Sequence, residues 1–125
     1  MHALIIEDQA IIAMMLEDEL CELGYTSFDV ADTQEEAISA AKRRCPDLIA
    51  ADDRLTTGSG IAAVRIICAE QSIPTVYIVG NPHELKTRLP DAIVLGKPYM
   101  ADDLREAVER ATLMMRPARE MADPA

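Results

Sequence analysis

The sequence predicts a doubly wound α/β fold, with five parallel strands in one sheet and helices on both faces. Three observations carry this. Short apolar runs of strand length alternate with helical patterns along the whole chain, the signature of βαβ units. Several of those runs are apolar on both faces, as buried parallel strands are. The chain has 125 residues, half of them hydrophobic, which fits one domain with one core.

Each element follows from local pattern. Ala3 to Ile6 reads as the first strand, with Glu7 and Asp8 at its carboxyl end. Gln9 to Leu23 carries Ile12, Leu16, Leu20 and Leu23 at helical spacing, and Gly24 closes it as a C-cap. Thr26 to Ala31 is the second strand. Asp32 and Thr33 start a helix with Glu35 and Glu36 in its first turn and Lys42, Arg43 and Arg44 at its end, charges that suit the helix dipole. Cys45 and Pro46 stop it. Leu48 to Asp52 is the third strand, and Thr56 to Gly60 is a loop leading to a third helix over about Ile61 to Glu70. Pro74 precedes the fourth strand, Thr75 to Val79. Between Pro82 and Pro90 only His83 to Arg88 can turn as a helix, so the fourth helix is shortened. Ala92 to Leu95 is the fifth strand, followed by Gly96, Lys97 and Pro98. The last helix runs from Ala101 or Asp102 to Met115, and Arg116 to Ala125 reads as a frayed tail.

Composition excludes several functions. The formal charge is -10, from 22 acidic and 12 basic residues, which opposes nucleic-acid and anionic membrane surfaces. No apolar run approaches the roughly 20 residues a bilayer helix needs, and no signal peptide is expected from Met1-His2, which lead straight into the first strand with no basic region. Cys21, Cys45 and Cys68 form no C-x-x-C and read as reduced, partly buried thiols of a cytoplasmic protein. His2 and His83 are expected to be exposed. The Met14-Met15 and Met114-Met115 pairs are expected to fill core or a helix-face contact. Gly58-Ser59-Gly60 lacks the G-K-[S/T] of a phosphate loop and reads as a turn.

Three polar features follow apolar strands: Glu7-Asp8, Asp52-Asp53 and Lys97. In a doubly wound sheet these strand ends share one edge, where ligands bind. Clustered carboxylates need a cation, and oxygen-only ligands suit a hard ion such as Mg²⁺. A metal, an ammonium and a free carboxylate are the parts needed for phosphoryl transfer to an aspartate.

With those residues in place, the chain resembles the receiver domain of bacterial two-component response regulators, in a single-domain version like the chemotaxis regulator. The matching features are Glu7-Asp8, Asp52, the D-x-x-L-x-x-G-x-G pattern of Asp52 to Gly60, and Lys97-Pro98. The resemblance covers about residues 2–116, which gives a receiver domain over 1–116 and a C-terminal tail over 117–125. It implies the flavodoxin-like fold. It also implies that Asp52 is the phosphoacceptor for a sensor histidine kinase or histidine phosphotransfer protein. Asp8 and Asp52 would ligate Mg²⁺ directly, Glu7 mainly through water, and the Arg54 backbone carbonyl would complete the set. Lys97 would pair with Asp52 and then with the phosphoryl group, and Pro98 would be cis. Asp53 would face away from the pocket, and Arg54 and Asn81 would tune hydrolysis of the phosphorylated form.

The sequence departs from the family pattern at two places. Val79 stands where a Ser or Thr is usual, and Val94 where a Tyr or Phe is usual. These are the family's switch positions, so phosphoryl acceptance is expected to survive while the usual output through the fourth helix and fifth strand is not. The protein would catalyse only its own phosphorylation and dephosphorylation. Without an output domain in these residues it would act on an unknown downstream protein, as a monomer or weak homodimer. One rival reading is a degenerate receiver that serves as a protein-binding scaffold. Another is a Mg²⁺-dependent phosphohydrolase, which Arg54 opposes by standing where that class needs an acid.

Overall fold

A computed structural model describes residues 1–114; Met115 and the expected tail lie outside the described residues. The strands are β1 (His2–Ile6), β2 (Ser27–Ala31), β3 (Leu48–Ala51), β4 (Thr75–Val79) and β5 (Ile93–Gly96). The helices are α1 (Ala10–Glu22), α2 (Gln34–Arg43), α3 (Gly60–Ile67), α4 (Pro82–Arg88) and α5 (Ala101–Met114). All strands pair in parallel in one sheet of order β2-β1-β3-β4-β5. This is the doubly wound, flavodoxin-like fold that the alternating pattern predicts. The chain leaves β1 for β2 on one side and returns to β3 on the other, so the strand order reverses between β1 and β3. A crevice opens at such a switch point, beyond the carboxyl ends of the strands.

The period of two along each strand divides the core into two layers. Ala3, Ile5, Leu48, Ala50, Val76 and Ile78 meet Leu16 and Leu20 of α1 and Leu104 and Val108 of α5. Leu4, Ile6, Ile49, Ala51, Tyr77 and Val79 meet Ala37 of α2, Ile61 and Val64 of α3, and Leu85 of α4. With both faces covered, β1 and β3 are buried along their whole length. The α4 helix has seven residues and buries one, Leu85, worth about 2 kcal/mol of transfer energy. It is the short helix that the bracketing prolines predict.

Caps set the helix starts. The Thr33 hydroxyl accepts the Glu36 N–H at 3.1 Å, Ser59 Oγ accepts the Ala62 N–H at 3.2 Å, and Asn81 Oδ1 accepts the Glu84 N–H at 3.1 Å. The third helix ends at Ile67, short of the expected Glu70, because Ala69 and Glu70 are exposed and the next side chain to be buried, Ile73, belongs to the approach to β4. Tyr99 Oη donates to Glu19 Oε1 at 2.6 Å and ties the loop after β5 to α1. The Lys97-Pro98 peptide bond is cis, as the resemblance implies.

Three expectations are corrected. His2 is buried, not exposed: its ring lies between Ser27 Oγ at 2.8 Å and Asp29 Oδ2 at 2.9 Å on the neighbouring β2. Parallel pairing of β1 with β2 sets those polar groups around it. Met14, Met15 and Met114 are exposed rather than core-filling, because Ala13 and Leu16 take the inward positions of α1 and Ala111 that of α5. Cys21 and Cys45 are free and exposed, and only Cys68 is partly buried.

Gly60 begins α3 directly against the third strand's end. A Cβ there would overlap the Asp52 carbonyl, whereas a Cβ at Gly80 meets nothing within 4 Å. Gly60→Ala should therefore destabilise the fold by about 2 kcal/mol or more and displace Asp52, while Gly80→Ala should stay within about 0.5 kcal/mol. Denaturant midpoints of the two variants provide the check.

Candidate functional site

The cleft at the carboxyl edge has a volume of about 370 Å³. Strand ends supply its floor and one wall, and α4 supplies the other through Glu84, Leu85 and Arg88. Burial of Ile5 and Ile6 carries Glu7 to the edge of β1, where the Glu7 N–H donates to the Ala31 carbonyl at 2.9 Å. The Asp52 N–H likewise donates to the Ile6 carbonyl at 2.9 Å, which extends the ladder one residue past β3. The Lys97 N–H donates to the Val79 carbonyl at 2.8 Å and fixes the start of the lysine loop against β4.

The side chains then converge. Lys97 Nζ donates to Glu7 Oε1 at 2.7 Å and to Asp52 Oδ2 at 2.9 Å. Asp52 Oδ1 accepts the Asp53 N–H at 2.8 Å, so both carboxylate oxygens are held and the group is oriented. Asp8 accepts from Thr56 Oγ1 at 2.8 Å. Glu7, Asp8 and Asp52 can each offer one oxygen such that the three lie within 4.8 Å of one another. The Glu7 side chain is 1% exposed and that of Lys97 17%.

The electrostatics follow from this packing. Burial pushes Glu7 above the usual carboxylate range, and its bond from Lys97 pulls down without cancelling that. Burial alone would lower the Lys97 ammonium, but its bonds to Glu7 and Asp52 outweigh it and hold the group above its ordinary value. The Thr56 hydroxyl holds Asp8 below its ordinary value. One ammonium faces three carboxylates, so the cluster keeps excess negative charge. That donor set fits a hard divalent cation.

The remaining expected residues fall around this centre. Val79 is buried and lines the cleft with Gly80 and Asn81, so the wall beside Asp52 there has an apolar side chain in place of a hydroxyl. Val94 packs half-buried in the α2–α4 layer and does not line the cleft. Arg54 lines the rim, with its side chain 85% exposed and 3.9 Å from Glu84. Asn81 both caps α4 and donates to Glu84 Oε2 at 3.2 Å. Asp53 turns its carboxylate from the cluster to Ser59 Oγ at 3.0 Å and Arg88 at 3.4 Å, yet still lines the cleft.

Sequence reasoning missed Thr56, Gln34, Glu84 and Arg88. Thr56 meets Asp8 across 48 residues, and Gln34 Oε1 accepts the Ser59 N–H across 25. Such contacts leave no local pattern. Gly60 carried a signal, since a glycine at the start of an otherwise apolar helix asks for a packing reason.

Comparison with known proteins agrees with this geometry. The family model described as response regulator receiver domain matches residues 3–109. The phyllosphere-induced regulator PhyR of Methylorubrum extorquens is 33% identical over 120 residues, covering 93% of this chain and 45% of that protein. The transcriptional regulatory protein PdtaR of Mycobacterium tuberculosis is 33% identical over 119 residues, covering 92% and 58%. The chain thus spans about half the length of these curated relatives. Among solved structures, the Erythrobacter litoralis PhyR receiver domain superposes with a TM-score of 0.84 at 30% identity, covering 93% of both chains. The anti-anti-sigma factor PhyR of Bartonella quintana gives 0.81 at 31%, covering 97% of this chain and 50% of that one.

The Lys97 bridge makes a sharp stability prediction. Lys97→Met strips a buried glutamate of its cation and should cost about 2 kcal/mol at neutral pH. Without the cation the Glu7 carboxyl rises further in the folded state only. The deficit is then full above that raised value and shrinks as acid protonates Glu7. Denaturant unfolding at neutral and mildly acidic pH measures both parts.

Proposed function

The chain belongs to the response regulator receiver domain family, and on that premise we propose that Asp52 accepts a phosphoryl group from a histidine kinase or histidine phosphotransfer protein. The observation that carries the proposal is the Asp52 carboxylate, fixed by the Asp53 N–H and by Lys97 inside a cluster of two further carboxylates. In the transfer, an Asp52 oxygen bonds to phosphorus while the P–N bond of the phosphohistidine breaks. The leaving imidazole keeps that electron pair and then takes a proton. Orientation of the nucleophile and electrostatic stabilisation are what such a transfer needs from protein.

Asp8 and Asp52 would hold Mg²⁺ directly, with Glu7 as a more distant partner and the Arg54 carbonyl completing the set. When bound, the ion neutralises charge on the transferring group. Lys97 shares its proton bonds between Glu7 and Asp52, so it can redirect one toward a phosphoryl oxygen and keep the other. Thr56 holds Asp8 ionised and in place. Arg54 and Asn81 stand at the rim, where they would screen attacking water and so set the lifetime of the acyl phosphate.

The domain takes no substrate to a released product and acts as a regulator. Its downstream partner is a protein, by analogy with the PhyR-type relatives, one of which is titled an anti-anti-sigma factor. Val79 and Val94 favour a second reading, a scaffold that binds partners without phosphorylation.

One experiment separates the two. Intact-mass spectrometry after incubation with Mg²⁺ and acetyl phosphate should show one phosphoryl group on the chain and none on Asp52→Ala. Chelation of Mg²⁺ should remove the gain. An unmodified chain at saturating donor would leave the scaffold reading. In the same assay Asn81→Ala and Arg54→Ala should change the decay half-life of the modified chain severalfold.

A further inference from the structure

The wall of the cleft that lacks a hydroxyl is faced by a cation. Arg88 closes α4 and lines the cleft with Val79, Gly80 and Asn81. Its Nη1 lies 3.4 Å from Asp53 Oδ2, well beyond the ~2.8 Å of a good charge-assisted bond. The guanidinium is half-exposed, and exposed pairs of this kind contribute little. Arg88 is therefore lightly held, by the residue that follows Asp52 in the chain.

We propose that Arg88 is the phosphate sensor of this domain, in the role that Val79 cannot fill. The proposal rests on phosphorylation of Asp52. An acyl phosphate there adds up to about two negative charges and three acceptor oxygens to the cleft that Arg88 also lines. Arg presents a planar fork matched to phosphoryl oxygens, and it gains more from a phosphoryl group than from one distant carboxylate oxygen. Lys97 can turn one of its bonds to the phosphoryl group from the β5 side, and Arg54 points into solvent, so Arg88 is the cation that lines the cleft with Val79. Arg88 moves from Asp53 to the phosphoryl group.

The helix carrying Arg88 is built to follow. It has seven residues and one buried anchor, Leu85, so little packing resists a shift. Its far attachment transmits the shift: Lys86 Nζ donates to the Pro90 carbonyl at 2.9 Å and the Ala92 carbonyl at 2.7 Å, immediately ahead of β5. A movement of α4 thus reaches the start of the edge strand with no aromatic at position 94.

The test is amide NMR of the full chain with and without Mg²⁺ and beryllofluoride, a phosphoryl stand-in. The unaltered chain, Arg88→Ala and Arg88→Lys are compared at matched occupancy of Asp52, read by fluorine NMR. In the unaltered chain, loading should shift amides of α4 and of residues 90–94. In Arg88→Ala those shifts should fall severalfold, with shifts around Asp8 and Asp52 retained. Arg88→Lys, which keeps the charge without the fork, should be intermediate. Equal α4 shifts in Arg88→Ala and the unaltered chain would overturn the sensor role and leave the acceptor role standing. An Arg88→Ala chain that cannot be loaded under the same conditions would place Arg88 in loading itself and also overturn it. If the unaltered chain takes up neither beryllofluoride nor phosphate, the acceptor reading fails first and the sensor role with it.

Discussion

The Lys97 ammonium is the tie on which the site depends. It reaches from the loop after β5 to Glu7 after β1 and to Asp52 after β3, so a single group joins three strand ends. Buried carboxylates repel one another, and without the ammonium each would face a desolvation cost with no compensation. Bringing the lysine there takes the whole sheet, since β4 lies between β3 and β5 and supplies the carbonyl that holds the Lys97 N–H. The parallel order is thus a condition for the charge arrangement as well as for the core.

The same economy shows at Gly60. The start of α3 sits so close to the Asp52 carbonyl that no side chain fits. Ser59 caps the helix and also donates to Asp53. Asp52 is thereby clamped between the sheet ladder on one side and a helix start on the other. Rigid placement of this kind suits the nucleophilic role proposed for Asp52. On the opposite side of the cleft the support is sparse: α4 is short, capped by Asn81 and joined to the loop after β3 by two loose ion pairs. The cleft has one stiff wall and one compliant wall.

Much of this was legible in the sequence, and the physics explains which parts. Strands apolar on both faces announce a covered parallel sheet. A polar residue just after such a run must emerge at the sheet edge, so Glu7, Asp8, Asp52 and Lys97 are placed together by the sequence pattern alone. The short α4 was legible from Pro82 and Pro90. His2 was not, because a histidine at the start of a strand is buried or exposed according to the residues opposite it, and the pairing with Ser27 and Asp29 spans 25 and 27 residues. Met14 and Met15 misled because hydrophobicity alone suggests burial, while the inward positions of α1 were already filled by Ala13 and Leu16. Thr56 and Arg88 entered only through loop closure. Local pattern thus located the acidic centre and missed the groups that hold and surround it.

The pinning of the first residues of β1 has a practical side. The Met1 carbonyl accepts the Thr26 N–H at 3.0 Å, the His2 N–H donates to Asp47 Oδ2 at 2.6 Å, and the imidazole is locked to β2. These bonds lie at the pole of the sheet away from the cleft, separated from it by the length of β1, about 16 Å. A fluorophore or fusion partner joined ahead of Met1 would leave the molecule from a firmly anchored corner. Such a handle could tether the domain to a surface while the acidic centre and α4 stayed open to solvent.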